Sequence, residues 1–380
     1  MLLQAIFSIG AQAVALATHV EPILNRGSLT EGYVSQPMIM AHASVLRNRL
    51  SLGVMANFGG LTLARGELNP GVYGEGYADR RHPHTYLHEL VGTVVVIRDA
   101  VSLTAGKGFV PFGTDDPMSR PLVKYPANHH LAQILERAIV IGHVRWRAFQ
   151  LDGALLNGDE PTAPDDSPDL NNFGDSFAAR LTYVRGSVEA QASHALLNSP
   201  ENIFGVGLDH RKESISVRYA DAGRAWRPYA LAEWAVSDEL RDGVQTFRFW
   251  STLAEGALTA GGTRLAARLE VTLRPEEERE LDVFRTRRPL SDNGILGITR
   301  WSLATLHASR EMRMGPLRLG PFVEVTFGDV TATARPAAFD PATEVFGSRT
   351  VSSLSGGVRL SVGTIHERMG RYGSAARHSH

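Results

Sequence analysis

The sequence predicts an all-β fold: a single domain, residues 1–380, forming one transmembrane antiparallel β-barrel of about sixteen strands, with fourteen as the alternative. Three observations carry this expectation. Apolar and polar residues alternate with period two along many segments, and short turns alternate with longer polar loops. No stretch approaches the roughly 18 consecutive apolar residues that a membrane-spanning helix needs. A chain that crosses a bilayer on strands must close them into a cylinder, because an open edge leaves backbone groups unpaired in hydrocarbon.

Composition narrows the function classes. The 39 basic and 40 acidic side chains balance, so the basic excess expected of a nucleic-acid partner is missing. Cysteine is absent, which removes any disulfide framework or thiolate metal site. The 37 glycines suit a β-protein with many turns.

The alternation is clearest from Arg264 to Arg274. Leu265, Ala267, Leu269, Val271 and Leu273 interleave with Arg264, Ala266, Arg268, Glu270, Thr272 and Arg274. From 317 to 327, Leu317, Leu319, Pro321, Val323, Val325 and Phe327 oppose Arg318, Gly320, Phe322, Glu324 and Thr326. Similar patterns set Phe177, Ala179, Leu181 and Tyr183 against Arg180 and its neighbours, and Ile215, Val217 and Tyr219 against Arg218. Each such strand has one dry face and one wet face. A wet face rich in Arg and Glu suits an aqueous lumen; a soluble sandwich is the plainer alternative.

Connections sort by length. Tight turns are expected at 47–49, 98–100, 142–143, 185–186, 221–223, 261–262 and 314–315. Longer segments lie at 59–85, 108–130, 156–173, 195–212, 238–243, 275–294 and 329–352. Short turns at one rim and long loops at the other are the asymmetry of transmembrane barrels. If 238–243 were only a bend, the count would fall to fourteen. Parity requires one more strand, and Phe7 to Val20 can supply it, followed by a loop at 21–36. The rival reading of residues 1–17 is a signal peptide ending Ala15-Leu16-Ala17, but no Lys or Arg precedes Arg26. The strand reading is preferred, and it places any export signal outside this sequence.

The run Val101-Ser102-Leu103-Thr104-Ala105-Gly106-Lys107-Gly108-Phe109-Val110-Pro111-Phe112-Gly113 resembles the strand-then-loop segment of sixteen-stranded bacterial outer-membrane porins, particularly the phosphate-selective group. The resemblance implies a bacterial outer-membrane location, short periplasmic turns, long extracellular loops, and passive passage of small hydrophilic solutes with no cofactor. A homotrimer, as in the general porins, is left open by it, and the lipid bilayer is the one partner it requires. One departure stands out: porin chains finish on an aromatic residue, whereas this one ends Arg377-His378-Ser379-His380. The final strand is therefore expected at Gly357 to His366, with 367–380 as a tail.

The resemblance also implies that 108–130 folds into the lumen as a constriction. Pro111, Pro117, Pro121 and Pro126 stiffen this loop, and Phe109, Phe112 and Tyr125 can pack against a wall. Its charges are Asp115, Asp116, Arg120 and Lys124, with Lys107 before it and His129 and His130 at its exit. Such charges select ions by sign, or Asp115 and Arg120 simply pair and hold the loop. On the wall, Arg180, Arg218, Arg264, Arg268, Arg274, Arg318 and Arg359 outnumber Glu189, Glu233, Glu270 and Glu324, a slight lean toward anions.

Four other constellations carry possible chemistry. His82, His84 and His88 have metal-ligand spacing, although surface histidines are the plainer reading. His42 and Ser44 with Asn57 are similar to the outer-membrane phospholipases, but the Asn-Gly that follows the serine there is Val45-Leu46 here. Asp209-His210 with Asp115-Asp116 is similar in residue type to the omptin proteases. The acidic loop from Asp159 to Asp169 has no fixed calcium spacing. A hydrolase built on a barrel is thus the runner-up to a channel, and a plugged structural or adhesion barrel is the third reading.

Overall fold

The computed structural model describes residues 5–21, 27–63, 67–68, 85–114, 116–161, 163–200, 207–277, 295–334, 340, 347–365 and 370–373. The strands are β1 (Ile6–Glu21), β2 (Leu29–Val45), β3 (Leu50–Asn57), β4 (Leu87–Ile97), β5 (Val101–Gly108), β6 (Arg137–Trp146), β7 (Phe149–Leu156), β8 (Ser176–Arg185) and β9 (Val188–Leu197). They continue as β10 (Asp209–Ala220), β11 (Arg227–Arg241), β12 (Val244–Ala260), β13 (Thr263–Glu277), β14 (Ile295–Arg310), β15 (Met312–Met314), β16 (Leu317–Ala334) and β17 (Thr350–Gly363). β14 and β15 are one strand interrupted at Glu311, both pairing with β16, so seventeen segments make a sixteen-stranded barrel. Neighbours pair antiparallel throughout, and β1 pairs with both β2 and β17. That last pairing closes the cylinder and leaves no edge.

The N-terminal segment is therefore a wall strand, as parity required. Ile6 lies opposite Ser44 at one end of β1, and Glu21 lies opposite Ser352 at the other. At the short-turn rim, Leu46, Arg47, Asn48 and Asp99 take positive φ, as do Gly186, Gly261, Gly262 and Gly315. These are the left-handed conformations that tight hairpins need.

Several boundaries differ from expectation. Gly142 and His143 lie inside β6, opposite Gly153 and Asp152, and the turn falls at 147–148 with Arg147 at φ 55°. The segment 238–243 is no long loop: β11 runs to Arg241, and only Asp242 and Gly243 separate it from β12. Asp238 explains the misreading, because its charge is satisfied across the sheet by Arg248 (2.6 Å) and Arg211 (2.6 Å) rather than by solvent. The hairpin keeps the count at sixteen instead of fourteen. β2 starts at Leu29, so the loop expected at 21–36 shrinks, and β16 reaches Ala334, well into the segment expected as loop 329–352. The last strand is Thr350–Gly363 rather than Gly357 to His366.

The alternation resolves into inside and outside. Leu265 and Leu269 are 60% and 63% exposed, whereas Arg268 and Glu270 between and beside them are buried. Val323, Val325 and Phe327 face outward, and Phe322, Glu324 and Thr326 face inward. A soluble barrel would show the reverse. Near the turn rim the outer surface carries Trp146, Phe149 and Trp226, with Tyr183 tilted against Phe149 at 5.0 Å. Such aromatic girdles mark the interface of a transmembrane barrel. The wall is uneven, with β3, β5 and β7 eight residues long while β12 and β16 have 17 and 18.

The outward band makes a direct prediction. Leu269→Arg, at mid-height on β13, should destabilise the barrel in lipid by about 2–4 kcal/mol. Reversible unfolding in lipid vesicles measures this, and a change within about 0.5 kcal/mol would mean that Leu269 does not face hydrocarbon.

Candidate lumenal constriction

The loop between β5 and β6, residues 109–136, turns inward and crosses the barrel. Its entry depends on two glycines of β5. Gly106 takes φ 141°, where a Cβ would collide with the Leu90 carbonyl, and Gly108 sits where a Cβ would crowd the Tyr372 hydroxyl. Beyond them the loop lies almost wholly buried.

Apolar side chains seat it on widely separated parts of the wall. Phe109, Met118 and Tyr125 pack with Met38, Met40 and Met55 of β2 and β3. Phe112 joins Val91, Ile139 and Leu197; Val123 joins Val14, Leu16 and Phe322; Leu131 and Ala132 meet Ala235 and Phe249. The expected packing of Phe109, Phe112 and Tyr125 is thus met, with partners on β2, β3, β4, β6 and β9.

Polar anchors then fix the register. Glu324 accepts the backbone N–H groups of Val123 (2.8 Å) and Lys124 (2.9 Å), and His307 Nδ1 stands 2.8 Å from it. Glu270 accepts the Ala127 N–H at 2.7 Å. Arg268 donates to the Lys124 and Tyr125 carbonyls and pairs with Glu270 at 3.2 Å. Glu233 takes Arg120 at 3.1 Å and the Asn128 amide at 2.9 Å. Lys212 donates to the Gln133 carbonyl, and the Gly113 N–H donates to Ser193 Oγ.

Lys124 reaches across to Glu67 (3.0 Å), the Tyr33 hydroxyl and the Leu68 carbonyl. Burial alone would push its ammonium down, but Glu67 and Tyr33 outweigh burial and hold it above the ordinary value. With the folded value raised, this anchor contributes fully below lysine's ordinary value of about 10.4 and is lost as pH climbs through the raised one. Heat resistance followed by gel mobility should therefore lose the Lys124 share only above about pH 10.4. Lys124→Met should erase that share, and an unchanged alkaline loss in the variant would contradict the anchor.

The remaining predicted residues fall as follows. Lys107 donates to Thr85 Oγ1, and Asp116 accepts the Met118 N–H within the loop. The His129 ring lies 5.1 Å from that of Tyr125. Asp115 and the His130 side chain lie outside the described residues, and Arg120 pairs with Glu233. Arg180 joins Asp152 (3.1 Å), which His143 also contacts at 2.9 Å. Arg218 stands 3.7 Å from Glu189. Arg264, Arg318 and Arg359 come together in a cavity of about 390 Å³ between the loop and the turn rim. Arg227 and Arg313 also line it, while Glu311 is the one acidic residue on its lining and stands 3.9 Å from Arg313.

The residues of the rival constellations have the following partners. Ser44 donates to Asn48 at the turn, and Asn57, opposite Met38, accepts the Gly59 N–H. Asp209 accepts the Ser199 N–H and Asp116 the Met118 N–H, while Asp115 lies outside the described residues. His82 and His84 lie outside the described residues, and buried His88 sits 3.1 Å from Glu136. In the acidic loop Asp159 accepts from Asn172, Asp166 from the Ala163 N–H and Asp169 from the Asn171 N–H. Among the described residues no His, Asp or Glu group is arranged to hold a metal ion.

Sequence reading missed Glu67, Asp152, Arg371 and Tyr372 as lumenal groups. It also missed the inward methionines, for which a signal existed. Met38, Ile39, Met40 and Ala41 are apolar on both strand faces, the mark of a strand covered on both sides.

No family model and no curated protein matches the sequence. Solved structures match its fold. An anion-selective porin from Comamonas acidovorans aligns at TM-score 0.57 with 10% identity, over 94% of this chain and 100% of that one. OmpT, an outer-membrane protein of Vibrio cholerae in a trimer form, aligns at 0.53 with 10% identity over 95% and 99%. OprB of Pseudomonas putida aligns at 0.53 with 9% identity over 95% and 94%. The architecture is that of bacterial outer-membrane porins.

Proposed function

We propose that this chain is an outer-membrane diffusion channel for small hydrophilic solutes, with a preference for anions. One observation carries the preference: the cavity below the inward loop is lined by Arg227, Arg264, Arg313, Arg318 and Arg359 against Glu311 alone among carboxylates. In a low-dielectric wall such a surplus concentrates anions and repels cations. Diffusion through such a channel needs no chemical step, and the contacts of Ser44 with Asn48 and of Asn57 with the Gly59 N–H support this reading over an ester hydrolase. Purified protein in a planar bilayer should give stepwise conductance, and a salt gradient should give a reversal potential of the sign set by anion flow. A cation-signed potential would overturn the preference. Three associated copies fit this reading, and mass measurement in detergent tests that assembly.

The specific observation favouring a second reading is the burial of Arg120 and Lys124, each 2% exposed and paired. A loop held this firmly suits a plugged barrel serving structure or adhesion. That reading is supported if refolded protein inserts into bilayers and conducts nothing.

A further inference from the structure

Beyond the loop, a second piece of chain occupies the lumen. Gly370–Gly373, downstream of β17, lies against the inner wall of the low side of the barrel. The Tyr372 hydroxyl accepts the Phe109 N–H at 2.8 Å and donates to Glu89, while its ring packs among Val91, Phe112 and Ile139. The Arg371 guanidinium pairs with Glu189 at 3.0 Å and donates to Thr182 at 3.3 Å. Arg180, braced by Asp152, donates to the Gly370 carbonyl at 3.1 Å. Gly108 leaves the gap that the Tyr372 hydroxyl fills, and Gly373 lies so near Ser102 and His143 that a Cβ would collide with the Ser102 hydroxyl.

The complementarity is specific in kind. One carboxylate meets a guanidinium, a second meets a phenol, and an arginine meets a main-chain carbonyl. Both partner side chains are nearly buried, at 7% and 9% exposure. Ser102, His143, Thr182 and Glu189 all lie near the turn ends of their strands, whereas the arginine cavity is bordered by β11 to β17 and β1. Glu89 and Phe109 stand at the loop ends of β4 and β5, so the segment runs along the inner wall of this side, apart from the cavity.

We infer that the inner wall of β4, β5, β8 and β9 is a binding site for a short arginine–tyrosine peptide, filled in cis by Arg371-Tyr372, which narrows the lumen on this side. Tethering makes a weak intrinsic affinity sufficient, since a short linker gives an effective concentration in the millimolar range. The consequence for solute flow rests on the channel reading; occupancy of the site does not.

The chain has no cysteine, so Ser102→Cys places a single thiol beneath the segment. A membrane-impermeant methanethiosulfonate should modify it slowly in the full chain, because Ser102 is 2% exposed. Adding Arg371→Ala and Tyr372→Ala should accelerate modification on the order of tenfold or more. A free peptide of residues 366–380 at about millimolar concentration should restore protection, and the same peptide carrying both alanines should not. Equal rates with and without the two alanines, or fast labelling of the full chain, would overturn the site. If the double variant does not fold, as judged by heat-modifiable gel mobility, Tyr372→Phe is read instead. It keeps the ring and loses both hydroxyl contacts, so a smaller acceleration is expected and none would be fatal. Labelling needs no current, so a barrel that opens its thiol yet never conducts refutes the channel and leaves the site standing.

Discussion

Glu324→Ala should raise single-channel conductance and make it noisy, while the barrel itself stays folded. The side chain accepts two consecutive backbone N–H groups of the inward loop and also meets His307. Hydrogen bonds to a charged acceptor contribute about 1.5–3 kcal/mol each, and their loss strands two buried donors. Removing one partner from a buried ionic cluster costs about 3–5 kcal/mol. That loss falls on the loop, because the sixteen-strand closure does not pass through Glu324's carboxylate. Arg268, Glu270 and Glu233 keep further holds on the loop, so fluctuation is expected rather than full release. Glu324→Gln should lie between, since an amide oxygen accepts but its NH2 faces two donors. Recordings from Glu324→Ala that match the parent in conductance and noise would show that the loop does not limit flow.

How this anchor was hidden shows where sequence reading stops. Period two placed Glu324, Arg268 and Glu270 on the wet face correctly, because a strand's geometry is local. Their work depends on partners in a loop some 143 to 201 positions away, and no local pattern encodes that distance. The turn at Arg147 was missed for a related reason: a non-glycine residue at φ 55° carries no compositional mark, while Gly142 drew attention without needing a turn. Asp238 looked like loop because strand charges pair across the sheet, invisibly to one-dimensional reading. The inward methionines were the legible exception. Arg371-Tyr372 left no trace at all, since a four-residue segment has no period.

The arginine cavity supports the other large effect. Arg264→Glu with Arg318→Glu should collapse the anion-signed reversal potential toward zero. Both residues line the cavity, on β13 and β16 with β14 between them, and both are half-buried rather than sealed. Arg264 donates to Thr259 and Arg318 to the Gly363 carbonyl, contacts that hold both guanidinium groups at the cavity wall. The exchange moves the cavity by four charge units, from a strong surplus of arginine to rough balance around Arg227, Arg313 and Arg359. Field focusing in a narrow low-dielectric space changes local ion concentration by tenfold or more, so a shift on the order of tenfold in the anion-to-cation permeability ratio is expected. High salt should shrink it, because the Debye length falls to about 3 Å at 1 M. The same reversal at Arg120 and Lys124 is a poorer experiment: it would set new carboxylates against Glu233 and Glu67 and disturb the loop before it reported on ions. Were the double cavity variant to keep the parent's reversal potential at low salt, solutes would not pass through this cavity, and its arginines would serve the wall alone.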